Sequence, residues 1–220
     1  IKKTYFDDLI IYLLVGIIVG GRLGYVIFYN IDYYIQNPFE IIQVWKGGMA
    51  FHGGLLGIIV ATFIFSKKTK TVFLKYTDIL ACVAPIGIFF GRMANFINGE
   101  LFGKISSAPW AVIFPNVDNF ARHPSQIYES ILEGVVLFAL INFLALKKKM
   151  IIKTGYISSL FLILYSFFRI FAEIFREPDQ HIGYLFNYFS MGTFLSFLTL
   201  SAGFLMIFFI KKNEQNKQHT

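Results

Sequence analysis

A chain of 220 residues that is 56% hydrophobic and only 15% charged, with a mean hydropathy of +0.61, is too apolar for an ordinary soluble domain and reads as a polytopic membrane protein. The net charge of +7 does not point to nucleic acid, because the lysines flank apolar runs instead of interleaving with aromatics on one surface. A single cysteine, Cys82, excludes a disulfide framework or a cysteine-based metal site within the chain and reads as a small core hydrophobe.

Apolar runs able to cross about 30 Å of hydrocarbon, roughly 20 residues each, fall at 9–29, 49–66, 76–95, 126–146, 155–175 and 188–210. The chain opens at Ile1 with Lys2-Lys3-Thr4 and lacks the layout of a signal peptide. No fixed-period repeat or linker divides it, so residues 1–212 read as one all-α integral membrane domain and 213–220 as a disordered polar tail. Lys2 and Lys3, then Lys67, Lys68, Lys70 and Lys75, then Lys147, Lys148, Lys149 and Lys153, then Lys211, Lys212 and Lys217 fall on alternate sides of successive spans, which puts them all on one face. The positive-inside rule makes that face cytoplasmic, with both ends of this chain inside and 30–48, 96–125 and 176–187 outside. Glycines at Gly16, Gly20 and Gly24, at Gly53 and Gly57, and at Gly87 and Gly91 repeat at intervals of four, a spacing that lets helix backbones approach closely in lipid.

The polar residues then sort onto this topology. Arg22 lies roughly 10 Å below the outer end of the first span at 1.5 Å per residue, and His52 falls in the first turn of the second. Arg92 and Asn95 close the third span, with Glu100 and Gly103 following in the outer loop. Ser125 reads as the N-cap of the fourth span, with Glu133 further in. On the fifth span, Arg169, Glu173 and Arg176 stack on one helix face at i, i+4 and i+7. The inner half is almost free of charge apart from Asp78.

Ionisable groups at membrane depth are functional-site candidates by default. Their confinement to one leaflet predicts a single outward-facing polar cavity. Structural pairing is the competing account, with Arg169 on Glu173, Arg22 on Glu133, and Arg176 anchored by Glu177 and Asp179. Several arginines against few carboxylates favour an anion, and guanidinium donors match phosphate oxygens, so the expected ligand is a phospholipid headgroup. His52, beside Gly53 and Gly54, is either an acid–base group or a polar cap. The chain shows no Walker loop, HExxH, nucleophile elbow or metal-ligand cluster, and calls for no cofactor.

Five blocks carry a resemblance: Gly20-Gly21-Arg22-Leu23-Gly24-Tyr25; Trp45 through Phe51-His52-Gly53-Gly54; Gly91-Arg92-Met93-Ala94-Asn95-Phe96-Ile97-Asn98-Gly99-Glu100-Leu101-Phe102-Gly103; Arg122-His123-Pro124-Ser125-Gln126-Ile127-Tyr128-Glu129; and Phe168-Arg169-Ile170 through Arg176-Glu177-Pro178-Asp179. Together they resemble the bacterial prolipoprotein diacylglyceryl transferases over essentially the whole chain, and the third block is the most specific. The resemblance implies a multi-pass inner-membrane enzyme whose active site faces the periplasm and whose C-terminus is cytoplasmic. Its implied partners are phosphatidylglycerol, the lipobox peptide of a preprolipoprotein and the bilayer, with a thioether and glycerol 1-phosphate as products. Family members have seven spans, so the match to these six starts after the family's first. By position the family's catalytic residues correspond to His52, Arg92, Asn95, Glu100 and Arg169. Its phosphatidylglycerol-holding set corresponds to Arg92, Arg169 and Gly103, to which Arg22, Glu173 and Arg176 are added. The thiol is activated either by His52 or by a locally positive field. A transporter or flippase of an anionic lipid or solute is the alternative reading of clustered arginines, although it predicts repeat-related halves and broken helices; a noncatalytic scaffold leaves the polar constellation without a purpose.

The topology yields a direct test. Single cysteines placed at Asn119 and Lys148 should react differently with an impermeant thiol reagent: Asn119→Cys from the periplasmic side, Lys148→Cys only after the inner face is opened. Labelling of the Lys148 position from outside would overturn the orientation.

Overall fold

The computed structural model describes residues 4–178, 184–185 and 189–218. Six helices within that range are long and apolar enough to cross a membrane: Tyr5–Tyr29, Phe51–Lys68, Phe73–Asn98, Ser125–Lys147, Tyr156–Glu173 and Met191–Asn216. They match the six expected spans in order and make this an all-α, multi-pass membrane protein. Among the described residues strand is confined to two short hairpins, Val112–Ile113 with Ala121–Arg122 and Tyr184–Leu185 with Phe189–Ser190. The last helix runs on to Gln218, through most of the segment expected to be a disordered tail. Lys2, Lys3 and Asp179, which entered the charge reading, lie outside the described residues.

The chain forms two compact units, residues 1–76 and 77–220. In the first, the first and second spans meet through glycine. A Cβ added at Gly57 would strike the carbonyl of Gly16, and one at Gly20 would strike the carbonyl of Gly53. These backbones pack as the spacing of Gly16, Gly20, Gly24, Gly53 and Gly57 predicts, because in lipid close van der Waals approach takes over from the hydrophobic effect. Gly87 and Gly91 differ, since a Cβ at either position meets nothing within 4 Å among the described residues. The packing role expected for Gly87 is therefore not seen. Where the second span ends, Tyr76 and Phe65 are fully buried, with ring centroids 5.2 Å apart, and the Tyr76 hydroxyl donates to Thr69 Oγ1 at 2.9 Å.

In the second unit the core is Ala81, Leu137, Ile141, Ala145 and Ile157, with Cys82 packed against it as a small apolar side chain. The fourth span is not a uniform α-helix: Ser130–Val136 and Phe143–Lys147 are wound as π-helix. Asp78 is tied to the start of the fifth span. Gly155, at φ +90°, occupies the N-cap of helix Tyr156–Glu173 and has no side chain with which to cap it. Asp78 fills that role from the third span, accepting from Gly155 N at 2.6 Å, Ser158 N at 2.8 Å and Ser158 Oγ at 2.7 Å while only 1% exposed. A carboxylate here satisfies helix donors that nothing else reaches and opposes the positive end of the helix dipole.

Asp78→Ala should lower the stability of the detergent-solubilised protein by about 3 kcal/mol, the scale of losing hydrogen bonds to a buried charged group. Asp78→Asn, which keeps one acceptor, should cost less. Thermal unfolding of both variants measures the difference.

Candidate functional site

In the first unit Arg22 is committed to backbone. It is 3% exposed, and its guanidinium donates from Nε to the Ile41 carbonyl at 2.8 Å, from Nη2 to that of Glu40 at 2.6 Å, and from Nη1 to those of Gly47 and Gly48. The Tyr34 ring lies 5.1 Å from its Cζ. Gly47 and Gly48 both adopt positive φ, +81° and +78°, which aims their carbonyls at one side chain at little steric cost. Arg22 was expected to hold a headgroup or to pair with Glu133, but its planar fork of donors instead gathers the loop that leads to His52. Beside it, Lys46 Nζ sits 3.0 Å from Glu40 and the Tyr33 hydroxyl donates to the same carboxylate. Those two bonds hold the Glu40 carboxyl below the usual carboxylate range. His52 is exposed in the first turn of helix Phe51–Lys68, and its ring packs edge-on against Phe51. The N-cap there is Ala50, with no side-chain cap bond, so His52 has the exposure of a reactive group and not the bonding of a cap.

In the second unit, three of the spans expected to converge do so around one carboxylate. Glu129, on the fourth span, places Oε2 2.7 Å from Arg92 Nε of the third and Oε1 2.7 Å from Arg169 Nη1 of the fifth. Arg176 Nη1 follows at 3.4 Å. Glu133, one turn deeper, is 3.6 Å from both Arg92 Nη2 and Arg169 Nη1. Glu173 closes on Arg169 Nη2 at 2.7 Å and accepts from the Ser190 hydroxyl at 2.7 Å. Three guanidiniums thus face three carboxylates, almost all of them buried. The site is charge-balanced and lacks the cationic excess the sequence suggests. Ion-pair distance and hydrogen-bond geometry do not coincide here. Glu129 Oε2, both Glu133 oxygens, Glu173 Oε2 and Arg169 Nη1 are buried without a properly directed hydrogen bond. The charges are paired, yet donor and acceptor capacity is left over, which is costly in a low-dielectric interior unless a ligand uses it.

The signature turn closes over the end of the third span. Asn95 Nδ2 donates to Glu100 Oε2 at 3.0 Å, Gly99 adopts φ +71° and Leu101 φ +54°. Asn95 and Glu100 therefore shape the turn together, with Glu100 exposed and not among the buried charges. The fourth span holds this turn from below: Gln126 Nε2 donates to the Glu100 carbonyl at 2.6 Å and Ser125 Oγ to the Leu101 carbonyl at 3.1 Å. Ser125 is thus not the N-cap it was expected to be; Pro124 holds that position and makes no side-chain cap bond. Gly103 lies in a backbone seam, its N–H donating to the His123 carbonyl at 3.1 Å while it bridges to Arg176. A Cβ at Gly103 would overlap both the His123 and Phe175 carbonyls, so a glycine is required for close approach of the chain. Arg122 completes the seam by donating to the Gly103 carbonyl at 3.1 Å and pairing with Asp118. The Arg122 hydrogen bonds hold the Asp118 carboxyl below its ordinary value, so this tie persists above the unfolded Asp pKa and is lost as pH falls through the lower folded one.

Of the expected site residues, Arg92, Arg169, Glu173 and Arg176 come together with Glu133. Asn95, Glu100 and Gly103 build the adjoining turn and seam, while Arg22 and His52 belong to the first unit. The residue missed was Glu129. The signal for it was Gln126, Glu129 and Glu133 at i, i+3 and i+7, one polar stripe along an otherwise apolar helix.

Six apolar helices, with a buried cluster of ionisable side chains set among three of them, define an integral membrane protein. Residues 1–209 match the family model described as prolipoprotein diacylglyceryl transferase. The phosphatidylglycerol--prolipoprotein diacylglyceryl transferases of Rickettsia bellii (strain OSU 85-389) and Rickettsia felis are each 50% identical to this chain over 94% of its length, covering 79% and 80% of their own lengths; that of Rickettsia akari is 49% identical over 94% of the chain and 80% of its own. The chain belongs to the prolipoprotein diacylglyceryl transferase family and is a membrane transferase of lipoprotein biosynthesis.

Arg22→Lys should loosen the 40–48 loop, because an ammonium cannot reach four carbonyls in one plane. Amide exchange at Gly47 and Gly48 should rise while the helices on either side stay protected.

Proposed function

We propose that the Arg92, Arg169 and Arg176 cluster, with its partner carboxylates, holds the phosphate of phosphatidylglycerol during transfer of the diacylglyceryl group to the lipobox cysteine of a prolipoprotein. The reaction is a substitution at the glyceryl carbon bonded to phosphate. The thiol sulfur forms a C–S bond, the C–O bond to phosphate breaks, and its electron pair leaves with glycerol 1-phosphate. The sulfur's proton passes to a base. The observation that carries this reading is the convergence of three guanidiniums, from the third span and from the fifth span and its end, on a single buried point of the fourth, with donor capacity left over at Arg169 Nη1. Charge placed in advance at a developing phosphate is the largest contribution a site can make to such a step. Arg92 and Arg169 are the headgroup ligands, and Asn95, Glu100 and Gly103 shape the turn beside them.

His52 is the proposed thiol base. Its exposure and its lack of a cap bond support that role, and a thiol of ordinary pKa about 8.5 needs such help at neutral pH. The enzyme is placed in the bacterial inner membrane with the arginine site toward the periplasm and the C-terminus in the cytoplasm. The position of Lys147 at the far end of the fourth span from Glu129, and so from Arg92, supports that orientation.

Transfer from phosphatidylglycerol vesicles to a lipobox peptide tests both assignments. Arg92→Ala and Arg169→Ala should insert normally and lose at least about 10²-fold in rate, the scale of removing a preorganised donor, and lysine should rescue poorly because a point charge cannot grip phosphate bidentately. His52→Gln should slow transfer by about 10² to 10⁴ and recover part of the rate as pH rises. Full activity of Arg92→Lys would argue against the clamp, and wild-type transfer by His52→Gln at neutral pH against the base.

A further inference from the structure

Glu129 sits where the ligand phosphate is proposed to sit. Its side chain is 1% exposed, and its two oxygens face three guanidiniums, Arg92 of the third span and Arg169 and Arg176 of the fifth span and its end. A carboxylate so placed presents to the arginines what a phosphate diester would: two anionic oxygens within reach of several forks. The arginines do not depend on it alone. Glu133 stands 3.6 Å from both Arg92 and Arg169, and Glu173 holds Arg169 from the other side at 2.7 Å. Glu129 accepts one long directed hydrogen bond, on Oε1 from Arg176 Nη1 at 3.4 Å. Its Oε2 and Arg169 Nη1 are buried without a well-directed hydrogen bond despite their short ionic distances. The cluster therefore has one anion that can yield and two that keep Arg92 and Arg169 near their places when it does.

We propose that Glu129 is a positioning residue that acts as an internal counter-anion: it holds the three arginines together while no headgroup is bound, and it competes with phosphate for them throughout turnover. This rests on reading the cluster as the headgroup site. The chemistry of the reaction gives competition a use. The diester substrate carries one negative charge on phosphate, whereas the monoester product carries up to two. Arginines that faced no rival anion would hold the product more tightly than the substrate and release it slowly. A carboxylate among the guanidiniums weakens both, and the more highly charged product more.

The test uses the full chain in vesicles of defined phosphatidylglycerol fraction with a lipobox peptide, and it reads KM for the lipid, kcat, and the inhibition constant of added glycerol 1-phosphate. Glu129→Gln keeps the shape and removes the charge. It should lower KM about tenfold, the scale of one opposed charge at a partly screened site, lower the inhibition constant by more because the product carries the larger charge, and lower kcat as product release slows. Glu129→Asp keeps the charge but draws it back by one methylene, and should shift the inhibition constant in the same direction by about two- to fourfold. A merely structural glutamate gives the opposite pattern, raising KM and the inhibition constant in both variants, and that result would overturn the proposal. If Glu129→Gln accumulates poorly, the direction of the Glu129→Asp shift decides. Loss of inhibition by glycerol 1-phosphate in the wild-type protein would remove the headgroup site itself, whereas wild-type inhibition combined with weaker binding in the Glu129 variants removes only the counter-anion.

Discussion

Ionised side chains persist at membrane depth only where opposite charge lies within a few ångströms, because the surrounding hydrocarbon offers no solvation to replace what they leave. Glu129 is that opposite charge for three arginines at once, 2.7 Å from two of them and 3.4 Å from the third. The third, fourth and fifth spans are each apolar enough to sit in lipid in many relative rotations. What selects one rotation at these ends is that Arg92, Arg169 and Arg176 must each find the same carboxylate. Packing and electrostatics make the same demand, so one interaction fixes both the helix ends and the arrangement of the cluster.

The fourth span carries more than its carboxylates. Ser125 and Gln126, in its first turn, accept responsibility for the carbonyls of Leu101 and Glu100, and Glu129 and Glu133 follow on the next two turns. The signature turn and the arginine cluster are thus referenced to one rigid element. Beyond the helix, Gly103 closes the seam to His123 and to Arg176, the third arginine of the cluster, and Arg122 fastens that seam to Asp118. In the first unit Arg22 does comparable work by polar means of another kind, gathering four carbonyls where the cluster gathers carboxylates.

The spans were legible in the sequence because hydrocarbon thickness is a strong filter on length and composition, and the glycines of the first two spans because close helix approach leaves a spacing of four. The identities of Arg92, Arg169, Glu173 and Arg176 were legible as charges that a membrane does not accept without cause. Their partners were not. Glu129 stands at the mouth of a span, where a glutamate alone reads as interfacial, and only the three-dimensional convergence reveals it as the hub. Arg22 misled for a related reason: a buried arginine suggests an anion, but a loop with two positive-φ glycines can present carbonyls in an anion's place. Ser125 has the residue type of an N-cap and the position of one, yet its hydroxyl is drawn to a carbonyl from the signature turn. Gly87 shares the spacing of packing glycines, yet a Cβ there meets nothing within 4 Å among the described residues, since spacing records a helix face and not what lies across from it.

The π-helical turns at Ser130–Val136 sit directly below Glu129 and include Glu133. A π turn holds one more residue per turn than an α-helix can keep, so it is a stored register choice. Rewinding it to α geometry would rotate every residue beyond it by about 100°, while Glu129 and Glu133, four residues apart, would still share a face. The winding of this helix therefore sets which side chains beyond it, Leu137 and Ile141 among them, meet the core formed with Ala81 and Ile157, and a displacement of a single residue along that span is enough to change them.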